Sequence, residues 1–301
     1  MYNLVSIGDI TIDLYFKGEE LTSKGDRFEL AAGGKYYTDF FYQCLGGSGA
    51  NIAIHGALHG LQTAVVAKVG EHAFKNVIIQ GLVKKTVSTE FLYFDRNHMS
   101  ISVILLRKDG TRTVIKHSDP KKHIEINPPS IDRIQRSQIV FMGNLPDISI
   151  DERTSLLDKI NTDANIVALN FGSKDCTKGI KYLRPLIDHA DILFLNRYEF
   201  SELVSENPHK VNLKKNHWNR LKSKKLTLVV TDGAEGSYAH DQNTVFYQPP
   251  SKSAHIVDTT GAGDAFTSTF LIKYSESRDV QRAMESASIY AASILSKIGA
   301  N

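Results

Sequence analysis

Residues 165–195 read N-I-V-A-L-N-F-G-S-K-D-C-T-K-G-I-K-Y-L-R-P-L-I-D-H-A-D-I-L-F-L. The stretch begins and ends with an apolar run of strand length, at residues 165–169 and 191–195. Between them, the segment from about Lys178 has the periodicity of an amphipathic helix. Near-continuous apolar strands joined by helices indicate a parallel sheet that is covered on both faces. The stretch therefore predicts one unit of an α/β fold.

The same alternation extends over most of the chain. Further apolar runs of strand length lie at residues 4–7, 63–69, 138–142 and 227–231, and helical patterns begin near residues 49, 72, 151, 197 and 215. This order predicts a doubly wound, mainly parallel sheet flanked by helices. We expect one α/β domain over residues 1–301.

Two segments interrupt the alternation and predict a separate small sheet. Residues 13–44 contain no convincing helical pattern. Within residues 90–117, an alternating run at residues 100–106 meets Val114 and Ile115 across an Asp109-Gly110 turn, which is a hairpin signal. We expect the two segments to form a discontinuous antiparallel β-sheet lid over the carboxyl ends of the parallel strands, where α/β proteins bind ligands. A surface hairpin without a role is the alternative.

Composition and charge exclude several classes of protein. Of the 301 residues 42% are hydrophobic, and 36 Lys and Arg face 33 Asp and Glu, a formal net charge of +3. This balance argues against a disordered chain and against a nucleic-acid-binding module. The amino terminus lacks an export signal, and polar residues interrupt the uncharged stretch 40–67, so we expect a cytoplasmic protein without a membrane partner. Cys44 and Cys176 are expected to be reduced core thiols.

Several familiar catalytic motifs are missing from the sequence. It contains no P-loop, no G-x-G-x-x-G fingerprint and no G-x-S-x-G nucleophile elbow. His55 and His59 lie four residues apart, but the glutamate of the H-E-x-x-H zinc motif does not accompany them. The sequence therefore favours neither hydrolase nor dinucleotide chemistry.

The segment most informative for chemistry is D-T-T-G-A-G-D-A-F-T-S, residues 258–268. It follows a β-like run at residues 254–257 and opens a long apolar helix. The small residues Gly261, Ala262 and Gly263 leave the N–H groups of a helix start open to an anion such as a phosphoryl group. Asp264 lies in the same turn, where the helix dipole favours its ionised form and it can accept a proton from a hydroxyl. In isolation, the segment is better interpreted as a tight turn before a helix with an aspartate in its first turn.

Polar and glycine-rich groups elsewhere in the chain accompany this segment. The loop L-G-G-S-G-A-N ends at Asn51, whose amide can bind polyhydroxy ligands, and Asp13 follows the first strand, where a carboxylate can bind paired hydroxyls. Asn196 and Glu199 follow a strand at a spacing suited to Mg²⁺ held through waters. A further strand ends in the glycine-rich turn T-D-G-A-E-G, residues 231–236, whose backbone can approach a nucleotide.

In this order and spacing, these motifs resemble those of the ribokinase-like carbohydrate kinases, the PfkB family. The resemblance extends from Leu4 to about Gly299, and D-T-T-G-A-G-D and G-G-S-G-A-N are its most specific parts. It implies ATP-dependent phosphorylation of an alcohol on a sugar or nucleoside. It also implies an α/β core with a β-sheet lid that often forms a dimer interface, so we expect a homodimer.

The resemblance implies a role for each motif. Asp264 becomes the catalytic base, and Gly261, Ala262 and Gly263 the anion hole. The other implied roles are substrate contacts at Asp13, Gly47 and Asn51, nucleotide contacts at Thr231, Gly233 and Gly236, Mg²⁺ organisation by Asn196 and Glu199, and a monovalent cation such as K⁺ at Asp258 and Thr260. An adenine pocket is implied near residues 287–292.

The sequence leaves the acceptor open. Ser48 stands where many ribose-specific members carry Lys, so we expect a neutral sugar such as a fructose-like ketose, with an adenosine-like nucleoside as the alternative. Cations in the lid segments would suit a phosphorylated sugar. The aromatic residues within 36–42 would form a dimer interface, stack on a nucleobase or pack the lid. A catalytically silent binding protein of the same fold is disfavoured, because Gly261, Gly263 and Asp264 are intact.

Overall fold

The computed structural model describes residues 1–24, 27–107, 111–120, 122–221, 226–252 and 256–301. Its strands are β1 (Leu4–Ile7), β2 (Thr11–Lys17), β3 (Thr22–Lys24), β4 (Arg27–Glu29), β5 (Phe40–Gly46), β6 (Thr63–Gly70), β7 (Val87–Ser88), β8 (Leu92–Asp95), β9 (Ser100–Leu106), β10 (Arg112–Ser118), β11 (Ile139–Met142), β12 (Ile166–Asn170), β13 (Ile192–Asn196), β14 (Thr227–Thr231), β15 (Ser237–His240) and β16 (Val245–Gln248). Its helices are α1 (Ser48–Leu58), α2 (Lys75–Lys84), α3 (Pro128–Gln135), α4 (Ile150–Ile160), α5 (Ser173–Cys176), α6 (Gly179–Ile187), α7 (Arg197–Leu203), α8 (Trp218–Leu221), α9 (Ala262–Ser277) and α10 (Val280–Ile294).

The larger sheet has the order β16-β15-β14-β13-β12-β11-β1-β6-β7, and β8 also pairs with β6. Its strands from β14 through β1 to β6 and β7 pair in parallel, whereas β15 and β16 extend it antiparallel. This arrangement confirms the predicted doubly wound α/β fold.

Helices cover both faces of this sheet, which is why its parallel strands are apolar throughout. On one face, Leu157 of α4, Leu183 of α6 and Phe200 of α7 belong to a core cluster with alternate strand residues. On the other face, Phe270 of α9 and Met284 of α10 form a second cluster with the remaining strand residues. The carboxyl ends of β1 and β11 to β14 therefore lie together at one edge, from which loops lead into α5, α7 and the other covering elements.

The smaller sheet, which we call the lid, has the order β10-β9-β2-β5. The β10–β9 and β2–β5 pairs are antiparallel, and the central β2–β9 pair is parallel. The second lid segment begins at Ser100 rather than near residue 90, because β8 pairs with β6 of the larger sheet. The predicted Asp109-Gly110 turn lies outside the described residues.

Two other sequence predictions need correction or comment. The β-like run at residues 254–257 is not a strand at Ile256 and Val257, and its first two residues lie outside the described part of the chain. Cys44 and Cys176 are free thiols, and burial raises the pKa of Cys44 to about 12. Across the described residues, the helices are too short or too polar to cross a bilayer.

Candidate active site

The start of α9 forms the centre of the candidate site. Gly261 precedes the helix with φ 78°, a left-handed conformation that favours glycine, and a Cβ at this position would lie 2.4 Å from Ala300 Cβ. No side chain among the described residues caps the helix, so the N–H groups of its first turn are not bound by a capping residue. A Cβ on Gly263 would meet no atom within 4 Å. Open space therefore lies beside this first turn, which is compatible with an anion hole.

Asp264 lies in this first turn, and its side chain is hydrogen-bonded to Asn51, one of the residues predicted to contact the substrate. The Asn51 side-chain amide donates a hydrogen bond of 2.7 Å to Asp264 Oδ2. Asn301 in turn donates to Asn51 Oδ1 at 2.9 Å and so fixes the orientation of the Asn51 amide. Burial raises the pKa of Asp264, although the Asn51 hydrogen bond opposes the shift. Burial, rather than the helix dipole considered in the sequence analysis, sets the direction of this pKa shift.

Asp13 reaches the site from the lid rather than from the loop after the first strand. It lies within β2, is 6% exposed, and accepts a hydrogen bond of 2.9 Å from the Thr11 hydroxyl. A Cβ at position 46 would lie 2.1 Å from Asp13 Oδ2, so the glycine there makes room for the carboxylate. Gly47 has φ 87°, and a Cβ on it would lie 2.6 Å from the Asp9 carbonyl. The glycine loop thus allows Asp13 and α1 to approach each other closely.

Burial raises the pKa of Asp13, and the nearby charge of Asp258 adds to the effect. Hydrogen bonds from Thr11 and Ser102 and the charge of Lys116 oppose it. The negative charge of Asp13 in turn contributes to the raised pKa of Asp264. The site thus brings two carboxyl groups close enough to repel each other when both are ionised.

The predicted Mg²⁺ residues form the start of α7. The Asn196 side chain accepts a hydrogen bond of 2.9 Å from the Glu199 N–H, and Glu199 accepts one of 2.8 Å from the Asn196 N–H, a capping box. Burial raises the pKa of Glu199 to about 7; the hydrogen bond from Asn196 opposes this, and the charges of Glu202 and Asp264 add to it. A divalent cation would offset this concentration of negative charge. The residues fit Mg²⁺ held through water rather than by a closed set of ligands, because capping occupies one oxygen of each side chain.

The predicted nucleotide turn follows β14 and is tied to the start of α7. Thr231 ends β14 directly beside Asn196 in the register of the sheet. Gly233 has φ 55° and Gly236 has φ 91°, and a Cβ on Gly236 would lie 2.2 Å from the Gln248 carbonyl. The turn therefore depends on glycine at both places.

An ion pair that the sequence analysis missed holds this turn in place. Arg197, the first residue of α7, makes a two-pronged ion pair with Asp232, the residue after β14. Arg197 also donates to the carbonyls of Pro208 and Val211 at 3.1 Å. The sequence contains a signal for this ion pair. Each residue directly follows a strand that is predicted to be parallel, so both are expected at the same edge of the sheet.

The predicted adenine pocket lies along α10. Ala287 is buried in the core, and the Ser288 hydroxyl accepts a hydrogen bond of 3.1 Å from the Ser251 N–H. This contact joins α10 to the chain that follows β16. The adenine contacts stay a prediction.

Asp258 and Thr260, the residues predicted to hold a monovalent cation, are hydrogen-bonded to an arginine of the lid. Asp258 is 1% exposed, and its Oδ1 accepts hydrogen bonds from the Thr260 N–H at 2.9 Å and the Thr260 hydroxyl at 2.7 Å. Its Oδ2 accepts one of 3.1 Å from the Gly299 N–H. Arg112 of β10 donates from Nη1 to both Asp258 Oδ1 and Thr260 Oγ1. From the sequence, Arg112 is only one of several cations in the lid segments, and no local pattern predicts its contact with Asp258.

The chemical arrangement matches one class of protein. A mainly parallel sheet, a separate β lid and a carboxylate beside an uncapped helix start are the features expected of ribokinase-like phosphotransferases. A protein-family model described as pfkB family carbohydrate kinase matches residues 1–301. The chain therefore belongs to the PfkB family of carbohydrate kinases and is a sugar or nucleoside kinase of the ribokinase type.

Relatives of the chain are named as kinases for different acceptors. The chain is 26% identical to a ribokinase of Lactococcus lactis, with 98% of this chain and 91% of the relative covered. It is also 26% identical to the Arabidopsis thaliana protein named "Probable fructokinase-5", over 77% of this chain and 74% of that one. A nucleoside kinase of Methanocaldococcus jannaschii is 23% identical, over 94% and 86%. These similarities support the kinase class and leave the acceptor open.

A solved structure supports the fold. The Arabidopsis thaliana ribokinase, in a complex with ribose and ATP, superposes with a TM-score of 0.78 over 99% of this chain and 94% of that one. The two sequences are 22% identical, so the likeness concerns the fold.

Proposed function

We propose that the protein is an ATP-dependent kinase that phosphorylates a hydroxyl of a small neutral sugar of the fructose-like ketose class. The observation that carries the proposal is the 2.7 Å hydrogen bond from Asn51 to Asp264 at the start of α9. It joins a substrate-binding amide and a carboxylate base directly beside a row of anion-binding N–H groups. Family membership supports the kinase reaction, and Ser48 in place of Lys supports an acceptor other than ribose.

Asp264 removes the proton from the attacking hydroxyl in this proposal. Its raised pKa suits this task, because a carboxylate with a higher pKa is a stronger base. Asn51 holds the carboxylate and shares the acceptor with Asp13, which binds hydroxyl groups from the lid side. The N–H groups of Gly261, Ala262 and Gly263 stabilise the negative charge that develops on the phosphoryl oxygens.

ATP binds along the adjacent strand ends in this proposal. The turn containing Thr231, Gly233 and Gly236 contacts the nucleotide, and the Arg197–Asp232 pair holds this turn beside α7. Asn196 and Glu199 hold Mg²⁺ through water. When bound, Mg²⁺ neutralises part of the phosphate charge.

The lid excludes water that would otherwise accept the phosphoryl group. Tyr15, Ile104 and Leu106 on its site-facing side are at most 1% exposed. They are on the same face as Asp13, since the β2–β9 register pairs Asp13 with Ser102 and Tyr15 with Ile104. A closed lid, whose buried apolar side chains surround Asp13, therefore covers the substrate side of the site.

An adenosine-like nucleoside is the second candidate acceptor. Phe40 and Tyr42 alternate with Phe41 along β5, and the register places Tyr42 opposite Tyr15 on the site-facing side. The rings of Phe40 and Tyr42 are stacked, with centroids 6.4 Å apart, and both side chains are more than one third exposed. Exposed aromatic rings beside the acceptor site would allow a nucleobase to stack.

A coupled ADP-release assay tests the proposal and separates the acceptors. The panel contains neutral ketoses and aldoses, their phosphorylated forms and nucleosides, each with Mg²⁺ and ATP. We expect the highest kcat/KM with a neutral ketose, and a loss of at least ~10²-fold in kcat with ATP binding retained in Asp264→Asn. Asp151→Asn changes an exposed aspartate in the first turn of α4 and serves as the matched control. A preference for nucleosides would favour the second candidate, and a folded Asp264→Asn with normal kcat would exclude the assigned base.

We also propose that the lid forms a homodimer through its outer face. The side chains of Leu14, Phe16, Val103, Leu105, Phe41 and Ile115 share this face in the register of β2, β9, β5 and β10. Phe41 is 55% exposed and Ile115 60% exposed, and the Phe16 and Phe41 rings contact each other at 5.3 Å. An apolar surface extending over four strands is typical of a face that another protein covers. A second copy of the chain presents the same face and would complete it.

A further inference from the structure

The buried charge of Asp258 lies close to the proposed anion hole and needs a partner that balances it. This carboxylate is 1% exposed and lies four residues before the start of α9. Burial alone opposes its ionisation, yet hydrogen bonds from Thr260 and Gly299 and the charge of Arg112 hold its pKa below the ordinary value. An ionised carboxylate beside a phosphoryl-binding helix start needs a positive partner, because its charge would otherwise repel the phosphoryl oxygens.

The resemblance assigns that role to a monovalent cation, but the described side chains do not fit one. Among the described residues, Asp258 accepts four hydrogen bonds: two from Thr260, one from Gly299 and one from Arg112. Thr260 Oγ1, the other expected ligand atom, also accepts a hydrogen bond from Arg112. The guanidinium therefore occupies the position between the two oxygens that a cation would need.

We propose that Arg112 replaces the monovalent cation and that the lid, rather than the solvent, supplies the positive charge that positions the anion hole. Arg112 is a positioning residue in this proposal, because it contacts Asp258 and Thr260 rather than the reacting atoms. Thr260 is followed directly by Gly261, so the pair with Asp258 fixes the backbone that presents the first N–H groups of α9.

The position of Arg112 in the fold makes this charge depend on lid closure. Arg112 opens β10, the edge strand of the lid, and its side chain lies on the site-facing side of the lid beside the buried Leu106. Asp258 and Thr260 belong to the loop before α9, which is not part of the lid. Opening the lid would separate the guanidinium from both oxygens. Closure would thus complete the anion hole at the same time as it excludes water.

The proposal rests on the proposed kinase function, and its central test compares salts of different monovalent cations. Initial rates are measured in KCl, NaCl and tetramethylammonium chloride at equal ionic strength. We expect the unmodified protein to give the same kcat in all three. For Arg112→Gln we expect kcat to fall by at least ~10-fold in tetramethylammonium with a smaller change in KM, because the anion hole is misplaced. KCl should restore part of this loss, since K⁺ can enter the vacated position.

Two further variants control for charge and folding. Arg27→Gln removes the same charge from an exposed residue of β4 and should behave as the unmodified protein in all three salts. Arg112→Lys keeps a positive charge and should retain more activity than Arg112→Gln without a response to KCl. If Arg112→Gln does not fold, the salt comparison on the unmodified protein and on Arg112→Lys still decides the proposal.

Thermal unfolding provides a readout that does not require turnover. In Arg112→Gln, KCl should raise Tm by roughly 2 °C or more relative to tetramethylammonium chloride, whereas the unmodified protein should show no such difference. Activation or thermal stabilisation of the unmodified protein by K⁺ would overturn the proposal, as would a folded Arg112→Gln with unchanged kcat. If no acceptor supports ADP release, the kinase proposal fails while the thermal comparison still tests Arg112.

Discussion

At the scale of single residues, the site combines buried carboxyl groups with specific hydrogen-bond donors. Burial raises the pKa of Asp264, Asp13 and Glu199, and each of them also accepts at least one hydrogen bond that opposes the shift. Neighbouring carboxylates contribute to all three shifts. The negative charge of these carboxyl groups is therefore unfavourable in the folded protein, and a bound cation would offset it. This is the physical reason for expecting Mg²⁺ at the site.

Glu199→Gln separates the capping role of this residue from its charge. A glutamine oxygen can still accept the hydrogen bond from the Asn196 N–H, and the change removes a carboxyl group whose raised pKa destabilises the fold at neutral pH, so we expect the free energy of unfolding to stay the same or to rise. The Mg²⁺ concentration for half-maximal activity should rise by at least ~3-fold, because one negative charge is removed beside the cation. Urea unfolding and a magnesium titration of the rate measure the two effects. An unchanged titration with normal folding would show that Glu199 only caps α7.

His240 should make stability depend on pH. It is fully buried in β15, its ring nitrogens have no hydrogen-bond partner among the described residues, and burial lowers its pKa to about 4, with His217 adding to the effect. The unfolded chain, with a histidine pKa near 6.5, therefore binds a proton between about pH 6.5 and pH 4 that the folded protein does not. His240 consequently destabilises the fold as the pH falls through this window.

The measurement compares the unmodified protein with His240→Phe in urea at pH 7 and pH 5. The advantage of the variant in unfolding free energy should grow by about 2 kcal/mol between these pH values. The raised pKa values of Glu199 and Asp13 have the opposite effect, because they make the fold more stable as the pH falls. Their contributions are the same in both proteins, so the difference between the two proteins isolates the contribution of His240. The exposed His209→Phe is the control, and parallel pH profiles for all three proteins would contradict the prediction.

At the scale of elements, helix starts and strand ends position the site. The two glycines at the start of α9 meet different structural requirements. Gly261 has φ 78° and no room for a Cβ, whereas Gly263 lies in the helix with open space around it. We expect Gly261→Ala to lower the free energy of unfolding by about 1–3 kcal/mol and also to reduce kcat, because the backbone must shift.

Gly263→Ala should instead keep or slightly raise stability, because alanine favours helix. Its methyl group would enter the space assigned to the phosphoryl group, so we expect kcat to fall by at least ~10-fold with normal folding. Urea unfolding and the ADP-release assay distinguish the two variants. Full activity in Gly263→Ala would mean that the reacting phosphoryl group lies elsewhere.

The sequence predicts the elements of the fold better than the contacts between them. Apolar runs such as β14 are correct to the residue, because a strand buried on both faces leaves a strong local pattern. The pairing of β8 with β6 and the contact between Arg112 and Asp258 are not predictable in this way. Both depend on how distant segments meet, and nothing in the local pattern of a lid strand shows which side-chain charge reaches the loop before α9.

At the scale of the whole molecule, one topology explains why motifs from distant parts of the chain meet. The parallel register places Asn196 beside Thr231 at the carboxyl edge of the sheet. The glycine loop before α1 brings Asn51 to Asp264, and the lid adds Asp13 and Arg112. The lid is therefore the part of the molecule that both completes the site and leaves an apolar face outside it.

That outer face gives the last prediction, which concerns assembly. A surface on which Phe41 and Ile115 are more than half exposed costs free energy in water, and burial against a second lid would recover about 25 cal/mol for each Å² of apolar area covered. We expect sedimentation velocity at micromolar concentration to give a dimer for the unmodified protein. Ile115→Lys should weaken it by at least ~10-fold in Kd, because the interface would bury an unpaired ammonium group. Val83→Lys changes an equally exposed apolar residue on α2, outside the lid, and should leave the dimer intact. A monomeric unmodified protein, or equal dissociation of the two variants, would exclude the outer face of the lid as the interface.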